Sequence, residues 1–73
     1  MGRLAVWSAR RLCALLAQYG FSVVRRKGSH IVLQKRSDGN SVTVTVPDHK
    51  EIAIGTLQSI IRQSKLPREL FEE

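Results

Sequence analysis

The segment Ser41-Val42-Thr43-Val44-Thr45-Val46 alternates a hydroxyl or other small polar position with valine at every step, and nothing else in the chain restricts its fold as strongly. Successive side chains of an extended strand point to opposite faces, so three valines share one face and the hydroxyls share the other. Such a strand needs neighbours and a cover. Upstream, Phe21-Ser22-Val23-Val24-Arg25-Arg26 and Ser29-His30-Ile31-Val32-Leu33-Gln34-Lys35 are rich in β-branched residues and flank Lys27-Gly28, the pattern of a tight hairpin. Ser37-Asp38-Gly39-Asn40 is a turn cluster joining the second run to the third, and Pro47 ends the third. The prediction is a three-stranded antiparallel meander with Thr43 and Thr45 facing water or a partner.

Helices have to cover the valine face, because nothing else in the chain is available. Ser8 is placed to cap a helix whose apolar residues Leu12, Leu15, Leu16 and Tyr19 recur at i, i+3, i+4 and i+7, with Gly20 as its left-handed stop. Arg10 and Arg11 put positive charge at its start, where the macrodipole disfavours it. Ile54, Leu57, Ile60 and Ile61 predict a second amphipathic helix over about 54–64, beside the first. Pro67 suits the first position of a last helical turn carrying Leu70 and Phe71, with Glu69 complementing its dipole. The expected fold is α+β: one domain over residues 1–73, a three-stranded antiparallel sheet with two main helices on one face in the order α-β-β-β-α, plus a short C-terminal helical turn. Hydrophobic residues at 42% and charged residues at 25% are ordinary globular usage, so a chain this short still folds on one core.

Several function classes fall away. One cysteine, Cys13, cannot form an internal disulfide, and with two histidines it cannot supply a structural zinc cluster. In mid-helix beside the apolar stripe, Cys13 reads as a packing residue. The glycines at 20, 28, 39 and 55 are isolated, so no phosphate loop of a nucleotide-binding type is present, and neither metal nor cofactor is expected. No apolar run approaches the roughly 20 residues of a membrane span. The Met1-Gly2 opening fails the myristoylation pattern at Val6, and Phe71-Glu72-Glu73 is no lipidation tail. The expectation is a reduced, cytoplasmic protein without membrane contact.

Charge is more informative than composition. Residues 1–37 hold eight basic residues (Arg3, Arg10, Arg11, Arg25, Arg26, Lys27, Lys35, Arg36) and no acid, while residues 38–73 hold four bases and six acids. The halves therefore carry +8 and −2, as in a protein that presents one face to a polyanion. Nucleic acid is the leading partner, against the plainer reading of a solvated basic surface.

Within that half, Arg25-Arg26-Lys27-Gly28-Ser29-His30 sets an imidazole two residues after a turn glycine and close behind three cations. RNA cleavage needs no metal. The 2′-hydroxyl attacks the adjacent phosphorus when a base takes its proton, and an acid protonates the departing 5′-oxygen. Histidine can do either near neutrality, and cations stabilise the charge growing on the phosphoryl oxygens. His30 is the candidate general acid or base, with Arg25, Arg26, Lys27, Lys35, Arg36 and Lys50 as electrostatic contributors. The competing reading is a strand histidine bonded to its neighbours. His49, between Asp48 and Lys50, reads as an exposed loop residue.

The chain resembles the HicA (YcfA-like) family of bacterial mRNA interferase toxins over about residues 3–72. The resemblance is carried by Ser8 opening the first helix, Tyr19-Gly20-Phe21 at its end, and Arg26-Lys27-Gly28-Ser29-His30 leading the second strand. Val46-Pro47 followed by His49, and Gly55-Thr56-Leu57 with Ile60 and Ile61, complete it. It implies a fold like a double-stranded-RNA-binding domain, cleavage of mRNA with His30 as the catalytic residue, and Gly28 and Ser29 positioning it. It also implies a HicB-type antitoxin that inhibits by covering the histidine and the basic surface in a hetero-oligomer. Three residues depart from the family's pattern at helix termini: Ile54 for a proline, Ala9 for a glycine, and Lys65 for the glycine after the second helix. A lysine in a left-handed C-cap costs about 1 kcal/mol relative to glycine, so helix two is expected to end differently here. Two other functions stay open: a non-catalytic RNA-binding module of this fold, and a module whose basic face meets an acidic protein.

Overall fold

The computed structural model describes residues 2–73, so Met1 of the Met1-Gly2 opening lies outside the described residues. Helix α1 spans Ala9–Gln18, strands β1, β2 and β3 span Ser22–Lys27, His30–Ser37 and Asn40–Pro47, and helix α2 spans Ile54–Ser64. A 3-10 turn, Arg68–Phe71, follows. The fold is α+β in the predicted order, with an antiparallel sheet ordered β1-β2-β3.

The local chemistry explains the boundaries. Ser8 Oγ accepts the Arg11 amide proton at 3.1 Å and caps α1, satisfying one of the donors a helix start leaves open. At the other end the Phe21 amide donates to the Leu16 carbonyl and the Gly20 amide to the Ala17 carbonyl, with Gly20 at φ +95°. This is a Schellman closure, and its characteristic apolar contact is supplied by Phe21 and Leu16, both buried. The second hairpin turns on Asp38 and Gly39, with φ of 47° and 80°, matching the twist of the flanking strands. The first hairpin turns on Gly28-Ser29, one residue later than expected. The strands accept Lys27 and His30 as a ladder pair, and Gly28 takes the positive φ of +60°.

Register fixes the two faces of the sheet. Ile31 pairs with Val46, and Leu33 with Val44; all four are buried beneath Leu12, Leu16, Leu57 and Ile60. Both helices therefore lie on the valine face. Each leans on the sheet, α2 on β3 and α1 across β3 and β1. Gln63 of α2 also accepts the Thr45 amide proton at 3.2 Å, so a donor on β3 is satisfied from the helix layer. The two ends of the chain clasp: the Ala5 amide and Trp7 Nε1 both donate to the Phe71 carbonyl, at 2.9 and 3.0 Å, and Glu73 donates to the Arg3 carbonyl at 2.8 Å. Phe71 is fully buried.

Four further expectations change. Tyr19 and Ile54 leave the core stripes: Tyr19 is the C-cap of α1, where the chain turns away, and Ile54 begins α2 and is 60% exposed. Lys65 does adopt the left-handed C-cap, at φ 60° and ψ 19°, so α2 ends as a glycine-terminated helix would and bears the strain. Pro67 precedes the last turn rather than opening it. No helix among the described residues is long and apolar enough to cross a membrane.

Candidate functional site

The alternation that buries Ile31 and Leu33 turns His30, Val32, Gln34 and Arg36 to the face away from the helices. His30 opens β2 directly after the Gly28-Ser29 turn and pairs with Lys27 on one side and Pro47 on the other. The Ser29 carbonyl accepts the Asp48 amide proton at 2.6 Å. That bond extends the β2-β3 pairing one step past His30 and holds the turn against the loop after β3.

Arg25 pairs with Val32, and Lys27 with His30, so both cations stand on the open face with the imidazole. The three strands contain no Asp or Glu. His30 is therefore exposed beside Lys27 and Arg25 on a sheet face whose strands carry no acid, where the neighbouring cations favour a phosphate. Among the described residues the His30 ring makes no side-chain hydrogen bond, leaving both nitrogens free for a ligand.

The other candidate cations are dispersed. Arg26 pairs with Ile31 and so faces the helix side, where it lies 3.9 Å from Asp48; both side chains are more than half exposed, a contact of little energetic weight. Lys35 shares that side, its ammonium 5.9 Å from the Phe21 ring centroid and its stem along Gly20. Arg36 is on the open face with His30, six residues along β2, about 20 Å at strand rise. Lys50 lies in the loop after β3 and, with Ser8, Arg10, Asp48 and His49, lines a separate depression of about 420 Å³. The structure thus brings His30 together with Arg25, Lys27 and, farther off, Arg36, but not with Arg26, Lys35 or Lys50.

Arg11 and Cys13 serve the packing of α1. Arg11 donates to the Val6 carbonyl at 2.9 Å and sits 4.6 Å from the Trp7 ring centroid. Cys13 is half-buried, and burial raises its thiol above the ordinary 9.0, outweighing the lowering by nearby Arg26. It is a poor nucleophile at neutral pH. No group of three or more His, Cys, Asp or Glu clusters among the described residues. The sequence reading overlooked Gln34, whose Nε2 donates to Thr43 Oγ1 at 3.3 Å across the open face; the parity of β2 around Ile31 and Leu33 was the signal that could have found it.

Fold order, an exposed glycine-led histidine and a basic open sheet face together define a small α+β domain suited to a polyanionic ligand. Residues 9–66 match the family model described as the HicA toxin of bacterial toxin-antitoxin. The match spans most of the chain, which belongs to the HicA toxin family. No curated protein matches it.

Proposed function

We propose that the protein is the toxin of a type II toxin-antitoxin pair and acts as a metal-independent endoribonuclease on mRNA, with His30 as its catalytic residue. The observation that carries this reading is His30 at the head of β2, exposed on a sheet face that bears Arg25 and Lys27 and whose strands lack acids. In the reaction the 2′-hydroxyl oxygen forms a bond to the neighbouring phosphorus and loses its proton to a base. The bond from phosphorus to the 5′-oxygen breaks, and that oxygen takes a proton from an acid. The products carry a 2′,3′-cyclic phosphate and a 5′-hydroxyl. His30 performs one of the two transfers, Arg25 and Lys27 stabilise the phosphorane charge, and Arg36 holds the strand farther along. Arg26, Lys35 and Lys50 add to the field at longer range. Gly28 and Ser29 set the turn that aims the imidazole.

A HicB-type antitoxin inhibits, in this account, by covering His30 and the open face in a hetero-oligomer. The unpartnered His30 ring favours one second reading, a non-catalytic RNA-binding module, because catalytic imidazoles are usually oriented by another group. His30→Ala separates the two: the variant folds and keeps most RNA affinity, and it loses cleavage if the first reading holds. A wild type that binds RNA in a salt-dependent manner and yields no fragments supports the second.

A further inference from the structure

The far end of the open face, away from His30, carries a feature that phosphate contact alone does not explain. Gln34 and Arg36 project side by side from β2, and a depression lies on each side of them. One, of about 440 Å³, is lined toward β1 by Gly20, Ser22 and Val24; the other, of about 430 Å³, lies toward the 37–41 turn. Both are open surface depressions.

The β1 irregularity between Val23 and Arg25 brings Val24 to the first depression, where it is 54% exposed. Val24 and half-buried Val32 give this otherwise polar face an apolar floor. Gln34 spends one amide proton on Thr43. Its carbonyl oxygen and second amide proton make no hydrogen bond among the described residues. An amide engaged in this way still offers one acceptor and one donor, which pair with a base edge presenting a donor beside an acceptor. Arg36, exposed at the same spot, supplies a charge for the adjoining phosphate.

We propose that Gln34 and Arg36 form a nucleotide-reading subsite, in which a base of the RNA strand lies on Val24, hydrogen-bonds Gln34 and has its phosphate held by Arg36. The subsite rests on the ribonuclease reading only in taking RNA as the ligand. It lies about 13–20 Å from His30 along the strand, so it selects a nucleotide removed from the scissile bond and sets where along the message the cut falls.

The test uses the full-length, isotope-labelled wild-type chain and a single-stranded 2′-O-methyl RNA decamer, which lacks the attacking hydroxyl, alongside an abasic decamer of the same backbone. The Gln34 side-chain amide and the Arg36 guanidinium signals are expected to shift with the base-bearing decamer. Gln34→Ala should weaken that decamer roughly tenfold and leave the abasic one unchanged. Arg36→Ala should weaken both and reduce the salt slope by about one. Gln34→Glu preserves the packing of the side chain and should weaken the base-bearing decamer at least as much, so a folding defect in the alanine variant does not decide the matter. Silent Gln34 and Arg36 signals, equal losses for both decamers in Gln34→Ala, or no binding of either decamer would overturn the subsite. Cleavage of ordinary RNA by a protein whose Gln34 is silent keeps the ribonuclease and loses the subsite; the shifts without cleavage do the reverse.

Discussion

The Ser29 carbonyl and the Asp48 amide meet at 2.6 Å, and through that bond the turn before His30 is fastened to the loop after β3. The orientation of the imidazole therefore depends on backbone geometry at Gly28 and Ser29 more than on any side-chain partner.

Gly28 is the sensitive point of that arrangement. It sits at φ +60°, and a Cβ there meets nothing within 4 Å, so substitution costs backbone strain and no clash. Gly28→Ala should lose about 1 kcal/mol and Gly28→Asn much less, since asparagine tolerates the left-handed region. Urea midpoints measure the difference, and cleavage rates should fall in the same order.

Lys65 offers the opposite change. It closes α2 in the left-handed conformation at φ 60°, so Lys65→Gly relieves strain that the lysine side chain imposes. Stability should rise by about 0.5–1 kcal/mol with no change in RNA cleavage, read as a higher urea midpoint at constant m.

Trp7 and Phe71 hold the ends of the chain together. Their ring centroids lie 5.8 Å apart, and Trp7 Nε1 donates to the Phe71 carbonyl. Trp7→Phe forfeits the hydrogen bond, about 1 kcal/mol; Trp7→Ala forfeits the packing too, about 3–5 kcal/mol, enough to unfold a domain this small. Thermal melts followed by circular dichroism distinguish the two.

Cys13 makes a pH-dependent prediction. Burial raises its thiol above the ordinary 9.0, so the native state retains the proton where the unfolded chain gives it up. That contribution to stability is fully present below about pH 9 and is lost as pH rises through the raised folded value. Cys13→Ser should flatten the decline in urea midpoint on the alkaline side. Alkylation of the wild-type thiol should be slow in native buffer and fast in urea.

Much of the architecture was legible because its signals are local. The alternation of Val42, Val44 and Val46 identified a half-buried strand, Asp38-Gly39 its turn, and Ser8 and Gly20 the limits of α1, each acting within a few residues. The clasp of Trp7 on Phe71 was not legible, because its partners are 64 residues apart and no periodicity links them. Ile54 and Tyr19 looked like core residues by spacing, yet each stands at a helix end and is exposed. His30 stood out as a chemical candidate from its neighbours alone, but its face did not, since a one-residue slip inverts a strand. The pairing of Ile31 with Val46 fixes that face, and with it the separation of Arg25, Lys27 and Arg36 from Arg26 and Lys35.

In the proposed reaction His30 cuts RNA without a metal. Purified wild type and His30→Ala, incubated with end-labelled RNA in EDTA and analysed for fragment sizes and 3′-end chemistry, test it directly. Fragments ending in 2′,3′-cyclic phosphate are expected from wild type alone. Equal cleavage by the variant, or intact RNA after incubation with folded wild type over several sequences, would contradict it.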